Sequence, residues 1–300
     1  MTLFATRRTY NAQTHRFTNN AAALTRYVLM TGGDGPVSKG GIISRADWHR
    51  EVLRAADSRE ILLYVHGFNT SQSTMLQRQT ALEQGLRRHG YRGAVVGFDW
   101  PSDGNVLAYD SDRNDAKKVA PYLVTEVIGL FLNETPRFTL HLLAHSMGAY
   151  LALRGFSGVG DAPGARKWGV DQVMFAAADV DVEWMRQGAW GSLVMDRRAR
   201  RLTNYYNADD AVLQLSGDFI NGGRSRAGRK GLPDLVAADQ VDVDATRRYA
   251  AFPQKGAQIS HRFYFEDDLF FRDVALTVAG TAAEAMPTRI VTNGDAVLLA

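Results

Sequence analysis

The sequence predicts an α/β fold built on an open, mostly parallel, doubly wound sheet flanked by helices. Short β-branched runs alternate with longer amphipathic stretches, the pattern of parallel strands joined by crossover helices. The runs 61–65 and 140–144 are nearly continuous in apolar residues, as strands covered by helices on both faces must be. With 300 residues, 45% of them hydrophobic, the chain is long enough for one large domain spanning residues 1–300.

The predicted elements follow that alternation along the chain. The predicted strands are residues 26–30, 61–65, 94–98, 138–144, 172–176, 202–206 and 240–243. The predicted helices are residues 74–89, 112–132, 147–156 and 269–279. Residues 182–200 and 216–233 interrupt the rhythm, and we interpret both segments as short cap insertions near the functional site.

Composition excludes several kinds of site. The chain has no cysteine, which rules out disulfides, thiolate metal sites and a cysteine nucleophile. The formal charge of +3 is small for this length and gives no argument for a nucleic-acid partner. No apolar run is long enough to span a bilayer, so no stable membrane insertion is expected. The expected location is cytoplasmic, or periplasmic if a signal peptide was removed.

The strongest motif is Ala144-His145-Ser146-Met147-Gly148, between an apolar strand and a predicted helix. This is the arrangement of a nucleophile elbow, in which a tight turn flanked by small residues exposes the serine hydroxyl above a sheet. A serine in such a turn can also merely cap the following helix. The motif favours Ser146 as a nucleophile and favours the α/β-hydrolase fold.

Acyl transfer also needs backbone donors aimed at the developing oxyanion. In this fold they come from the residue after the nucleophile and from a loop after an earlier strand, which here are Met147 and Phe68. The second lies in His66-Gly67-Phe68-Asn69, directly after the predicted strand 61–65. We interpret His66 as an architectural residue of that loop rather than as a catalyst.

The base in this fold is a histidine that follows the nucleophile and the acid in chain order. Of the seven histidines only His261 lies beyond Ser146, in a segment predicted as a loop before the C-terminal helix. His145 is a weaker candidate because its side chain should diverge from that of its neighbour, and we expect it to pack or orient. His261 is therefore the predicted base.

Three carboxylates compete for the role of the acid. Asp179, Asp209 and Asp210 all follow predicted strands between the serine and the histidine. We favour Asp210, in a polar turn after a strand, and expect Asp179 to cap the helix that follows it. Neighbouring residues in a turn point in different directions, so only one of Asp209 and Asp210 can meet the histidine.

Other candidate features point to no further site. The basic stretch 224–230 lacks interleaved aromatic residues, so we interpret it as a solvated loop. Residues 32–35, rich in glycine, match no phosphate-binding spacing and are assigned to a turn. Asp239, Asp242 and Asp244 lack a metal-ligand pattern with histidine. The sequence predicts neither a metal nor another cofactor.

Motifs spread over most of the chain resemble the DUF900 family of α/β hydrolases, bacterial proteins of esterase-like type. They are Ala5-Thr6-Arg7-Arg8, His66-Gly67-Phe68-Asn69, Trp100-Pro101-Ser102-Asp103-Gly104, Tyr109 with Asp112, Asn114 and Ala116, the elbow, Asp210-Ala211-Val212-Leu213, and His261 with Tyr264 and Asp273. In that family the alanine-first elbow is usual. The resemblance implies Ser146, Asp210 and His261 as a triad, and it implies no physiological substrate. Asn207 and Ala149 depart from its pattern, where serine and asparagine are expected.

These features predict a serine hydrolase that cleaves small-molecule carboxylic esters through an acyl-enzyme, with short to medium acyl chains. The same triad serves a thioesterase, an amidase or an acyltransferase, since the pocket selects leaving group and acceptor. A non-catalytic binding protein of the same fold is the alternative from another class. Such a protein usually lacks a triad member, whereas this chain carries all three in order.

Overall fold

A sheet of eleven strands forms the centre of the computed structural model, which describes residues 1–31, 41–102, 109–161, 167–233, 240–292 and 295–299. The strands are β1 (Thr2–Asn11), β2 (Arg16–Met30), β3 (Ile42–Ile43), β4 (Glu60–Val65), β5 (Ala94–Asp99), β6 (Thr139–His145), β7 (Val170–Ala176), β8 (Ala199–Tyr206), β9 (Gln240–Asp244), β10 (Arg289–Thr292) and β11 (Asp295–Leu298). Their order is β10-β11-β9-β8-β7-β6-β4-β5-β1-β2-β3. Every pairing from β11 to β1 is parallel, and the outer strands pair antiparallel.

Helices connect the parallel strands. They are α1 (Arg45–Ala55), α2 (Gln72–Arg88), α3 (Tyr109–Leu123), α4 (Gly129–Phe131), α5 (Met147–Gly158), α6 (Trp190–Arg198), α7 (Ala211–Leu215), α8 (Ala227–Lys230), α9 (Thr246–Ala251), α10 (Ala257–Arg262) and α11 (Asp268–Val278). Short 3₁₀ turns cover Val182–Met185, Phe263–Glu266 and Ala283–Ala285, and π turns cover Val124–Ile128 and Ser216–Ile220. None of the helices in the described ranges is long and apolar enough to cross a membrane.

Two apolar cores lie on opposite faces of the sheet. Along β4, Ile61, Leu63 and Val65 pack into one core, and Leu62 and Tyr64 pack into the other, because successive strand residues point to opposite faces. Buried residues of α1, α3 and α5 belong to the first core, and those of α2 and α11 belong to the second. This confirms the predicted mostly parallel sheet with helices on both faces.

The structure differs from the prediction in several elements. Strands β1, β10 and β11 and helix α1 were not predicted, and β2 begins ten residues before the predicted strand. The predicted helix 112–132 is interrupted by the π turn Val124–Ile128, where the amide of Gly129 donates to the carbonyl of Val124 five residues earlier. His261 lies in helix α10 rather than in a loop. The glycine-rich residues 32–35 lie outside the described residues.

The two segments interpreted as insertions also have defined structures. Residues 182–200 hold a 3₁₀ turn, α6 and the start of β8, so they form the crossover from β7 to β8 that any parallel pair requires. Residues 216–233 hold the second π turn and α8, and Asp181 forms an isolated β-bridge with Arg226. The latter segment therefore lies against the loop that follows β7.

Candidate active site

Residues of interest follow four neighbouring strands at one edge of the sheet. The chain leaves β4 into His66, β6 into Ser146, β7 into the loop of Asp179, and β8 into the turn of Asp210. These strands are parallel, so their carboxyl ends meet at the same edge. Clefts at this edge are the usual ligand sites of open α/β sheets.

Ser146 occupies the strained turn that the elbow motif predicts. Its φ is 54° and its ψ is −124°, a conformation that residues other than glycine rarely adopt. The Ser146 amide donates to the carbonyl of Ala176 at 3.0 Å, and its carbonyl accepts from the amide of Asp179 at 3.1 Å. These backbone hydrogen bonds to the neighbouring strand hold the turn in place.

Two glycines allow the elbow to pack tightly against the loop after β4. A Cβ atom on Gly67 would lie 2.7 Å from the Cβ atom of Ser146. A Cβ atom on Gly148 would lie 2.6 Å from the carbonyl oxygens of Val65 and His66. Both positions therefore require glycine for the elbow and the loop to meet.

His261 and Asp210 form a buried pair beside the elbow. His261 Nδ1 lies 2.7 Å from Asp210 Oδ2, and the Asp210 side chain is fully buried. The other carboxylate oxygen, Oδ1, accepts from the amide of Leu213 at 2.9 Å and so caps helix α7. Because both carboxylate oxygens of Asp210 accept hydrogen bonds, the side chain is held in one orientation, with Oδ2 facing the imidazole of His261.

Two polar side chains, those of Asn207 and Ser260, connect the turn that carries Asp210 to the helix that carries His261. Asn207 Nδ2 donates to the carbonyl of Ser260 at 2.8 Å. Ser260 Oγ accepts from the amide of Ala211 at 3.2 Å. The asparagine that departs from the family pattern thus connects the two segments that carry the pair, a role that its sequence position did not indicate.

The other two carboxylates that sequence reasoning considered do not meet His261. Asp209 is exposed. Asp179 Oδ2 accepts from the hydroxyl of Tyr109 at 2.7 Å, and Oδ1 accepts from Ser216 Oγ at 2.9 Å. The prediction that Asp179 caps a helix is wrong, because Asp181 is the residue whose side chain accepts from the first turn.

The basic stretch 224–230 is only partly a solvated loop. Arg224 is exposed, but Arg226 is 2% exposed and its Nε lies 3.5 Å from Asp179 Oδ1. A buried carboxylate requires a compensating charge, which the sequence could not show because the two residues lie far apart along the chain. The prediction of a solvated loop is therefore wrong for Arg226.

His145 contacts the backbone of the predicted base. Its Nε2 donates to the carbonyl oxygen of His261 at 2.9 Å, and the two rings lie 4.7 Å apart between centroids. Burial, followed by the nearby charges of His261 and Arg78, holds the pKa of His145 well below its ordinary value. The hydrogen bond thus connects the His145 ring to the backbone of α10, which carries His261.

His66 organises the loop that carries Phe68. The amide of Trp100 donates to His66 Nε2 at 3.1 Å, and the indole Nε1 donates to the carbonyl of His66 at 2.8 Å. The two rings stack with centroids 5.2 Å apart. Burial lowers the pKa of His66, although Asp99 opposes this effect. The contacts fit the architectural role that we expected.

A buried ion pair lies beneath the same loop. Arg8 Nε donates to Asp99 Oδ1 at 2.7 Å, and Arg8 Nη2 donates to the carbonyl of Thr70 at 2.8 Å. Burial alone would raise the pKa of Asp99, but the Arg8 charge and the contact with His66 outweigh it and lower the pKa. Sequence reasoning missed this pair. The available signal was the presence of Arg7 and Arg8 within a β-branched run, since an arginine of a strand that faces the core needs an acidic partner.

A cavity of about 170 Å³ opens above Ser146. It is lined by Phe68, Asn69, Arg78, Tyr109, His145, Ser146, Asp179, residues 211–213, Leu215, Ser216, Ile220, Ala257, Gln258, His261 and Arg262. Residues 182–200, all described, contribute nothing to this lining, whereas Ser216 and Ile220 come from the second predicted insertion.

The structure brings Ser146 and His261 to one cavity without a hydrogen bond between them in the described part of the chain. Such bonds are often long without substrate and tighten in the reacting complex. Phe68 lines the cavity, and Met147 is the first residue of α5, so its amide has no acceptor within the helix. Over the described ranges, no group of three or more acidic or histidine side chains is placed to hold a metal ion.

A family model and one sequence relative match parts of the chain. The family model of α/β hydrolases of unknown function, DUF900, matches residues 43–247. An uncharacterised protein of Nostoc sp., alr1448, is 45% identical over 58 residues, which is 19% of this chain and 15% of that protein. The chain thus matches only a small part of that relative's length.

The solved structures that match the chain share little sequence with it. A lipase-esterase related protein of Clostridium acetobutylicum is 12% identical, with a TM-score of 0.36 over 75% of this chain and 96% of that one. Phospholipase PlaB of Legionella pneumophila is 10% identical, with a TM-score of 0.32 over 79% of this chain and 67% of that one. Similarity at this level says nothing about activity. The family model covers more than half of the chain, and the chain belongs to the DUF900 family of α/β hydrolases.

Proposed function

We propose that this protein is a serine hydrolase that cleaves carboxylic esters through an acyl-enzyme. The observation that carries the proposal is the buried pair of His261 and Asp210, with Nδ1 and Oδ2 2.7 Å apart, at the cavity that Ser146 lines. A strained serine on an elbow and a histidine held by a buried carboxylate are the parts that nucleophilic acyl transfer requires.

In the proposed reaction the oxygen of Ser146 attacks the ester carbonyl carbon while its proton passes to His261 Nε2. Asp210 accepts from Nδ1–H, which keeps Nε2 unprotonated before the attack and stabilises the imidazolium after it. The amides of Phe68 and Met147 donate to the oxyanion of the tetrahedral intermediate. Collapse of the intermediate expels the alcohol, which takes the proton from His261, and water then releases the acid by the same steps.

The cavity supports short to medium acyl chains. Its volume of about 170 Å³ is below the range of about 300–1,000 Å³ that is usual for sites holding drug-sized ligands. The apolar side chains of Phe68, Leu213 and Leu215 line it and offer contact surface for an acyl chain. Long chains would extend beyond it into solvent.

The test is hydrolysis of p-nitrophenyl esters from acetate to dodecanoate by the wild type and by Ser146→Ala. We expect turnover that is highest for short to medium chains and a loss of roughly 10⁶-fold in kcat in the variant. Ser157→Ala, at an exposed serine of α5, is the control and should keep activity. Substantial turnover by Ser146→Ala with an intact circular dichroism spectrum would refute the proposal.

A further inference from the structure

The charged side chains that line the cavity differ in whether their charge is compensated. Asp179 accepts from two hydroxyl groups and lies 3.5 Å from Arg226 Nε. Arg262 Nη1 lies 2.8 Å from Glu266 Oε1. Arg78 differs, because no carboxylate in the described residues lies within 4.0 Å of it. Among the described side chains that line the cavity, Arg78 is therefore a positive charge without a carboxylate beside it.

Arg78 projects from α2 towards the residues that hold the predicted base. Its guanidinium carbon lies 5.4 Å from the ring centroid of Phe265, and that ring lies 5.2 Å from the ring of His145. The His145 ring in turn lies 4.7 Å from the ring of His261. Arg78 is thus linked to His261 through the rings of Phe265 and His145, and it lines the cavity from α2.

The neighbour of Arg78 on its inner side is a neutral group. Burial raises the pKa of Tyr64 to about 12, and the charge of Arg78 opposes that rise only in part. Within the described residues, the partly buried guanidinium lies near the Phe265 ring and the neutral hydroxyl of Tyr64. Guanidinium groups in such positions are stabilised by a carboxylate that accepts two parallel N–H bonds.

The lining from α7 and the second π turn is mostly apolar by contrast, with Ser216 as its polar member. Leu213, Leu215 and Ile220 line this part of the cavity, and Leu215 is 48% exposed. A ligand that fits both parts has an apolar portion and an anionic portion.

We propose that Arg78 binds a carboxylate carried by the substrate, so that the substrates of this site are esters with a second, anionic carboxyl group. The inference rests on the proposed ester hydrolysis at Ser146. Arg78 selects the ester by the carboxylate at the end of the molecule away from the ester group, and the alkyl portion lies against the apolar lining.

The test compares two acyl esters of equal length, mono-p-nitrophenyl adipate and p-nitrophenyl hexanoate, at pH 7.5 with the background hydrolysis subtracted. A second pair, 4-acetoxybenzoate and its methyl ester, carries the charge on the alcohol side. The measured quantity is the ratio of kcat/KM for the anionic ester to that for the neutral one. The variants are Arg78→Gln and Arg78→Lys.

Arg87→Gln is the matched control, because it removes one positive charge from an exposed position of the same helix that does not line this cavity. We expect the ratio for at least one pair to fall by about tenfold in Arg78→Gln, the size of a charge-assisted hydrogen bond. Arg78→Lys should keep part of the preference, and Arg87→Gln should keep nearly all of it.

Binding gives a readout that does not need turnover. Monomethyl adipate should bind to the Ser146→Ala protein about tenfold more tightly than to the Ser146→Ala, Arg78→Gln double variant by calorimetry. Ratios unchanged in Arg78→Gln, or reduced as much in Arg87→Gln, would overturn the inference while ester hydrolysis stands. Hydrolysis that persists in Ser146→Ala would refute the proposed function instead, and the calorimetric comparison would then decide the inference alone.

Discussion

Replacing Asp210 with Asn changes one atom in the pair with His261 and tests the proposed proton path. The side-chain oxygen of Asn can still accept from the amide of Leu213, so the cap of α7 is kept. Its NH₂ group then faces His261 Nδ1, where Asp210 Oδ2 stands at 2.7 Å. Two donors cannot share that contact, so Nδ1 must give up its proton and become the acceptor.

This change of tautomer puts the remaining ring proton on Nε2, the atom that would receive the proton of Ser146 in the proposed mechanism. We expect kcat for p-nitrophenyl butyrate to fall by about 10⁴-fold, the loss that accompanies a wrong histidine tautomer. The Michaelis constant should change little, because Asp210 is fully buried beneath the imidazole. The low-field proton resonance of His261 Nδ1–H should disappear from the NMR spectrum of the variant.

Asp209→Asn is the matched control, since it makes the same change at the adjacent, exposed residue. It should keep most activity and the low-field resonance. Asp179→Asn should cost less than Asp210→Asn, because Asp179 accepts from Tyr109 and Ser216 rather than from the imidazole. Equal or larger losses in either of these variants, with circular dichroism unchanged, would refute the assignment of Asp210.

Three further perturbations test the support around the site. Gly67→Ala should lower kcat by about 10²-fold, because its Cβ atom would meet that of Ser146 at 2.7 Å and displace the elbow or the loop that carries Phe68. Arg8→Met should lower the free energy of unfolding in urea by about 3–5 kcal/mol, because it leaves a buried carboxylate without its ion pair. Burial lowers the pKa of His141 to about 4, so the unfolded chain gains a proton first as the pH falls below about 6.5. His141 should therefore reduce stability by up to about 3 kcal/mol between pH 6.5 and pH 4, a share that His141→Leu should abolish.

Each of the three perturbations is compared with a control protein. Gly158→Ala adds a methyl group where nothing lies within 4 Å and should leave kcat unchanged. Arg50→Met breaks an exposed ion pair and should cost at most about 1 kcal/mol. An effect of Gly67→Ala or Arg8→Met no larger than that of its comparison would contradict the reasoning. The reasoning would also be contradicted if the free energy of unfolding depended on pH equally in His141→Leu and in the wild type.

The centre of the fold could be predicted because local patterns determine it. The runs at β4 and β6 are apolar enough to require helices on both faces, and the elbow motif follows one of them directly. Chain order selected Ser146 and His261 but left three carboxylates, and Asp210 was favoured by its place in a polar turn and by the family resemblance.

The supporting contacts could not be predicted because they join residues that are distant in sequence. Arg8 and Asp99 are 91 positions apart, so an arginine inside β1 gave no local sign of its partner. The same holds for Arg226 and Asp179, whose contact explains why a basic stretch is partly buried. Strands β10 and β11, at one end of the sheet, are short and partly polar, which leaves too weak a periodicity to separate them from loops.

Covalent labelling of the nucleophile tests the proposed mechanism most directly. The protein would be treated with a fluorophosphonate, and the modified peptide would be identified by mass spectrometry. We expect one adduct, on Ser146, formed far more slowly in His261→Ala and blocked by prior incubation with a slowly deacylating ester. An adduct on another residue, or no adduct in a preparation that hydrolyses esters, would contradict a serine acyl-enzyme at Ser146.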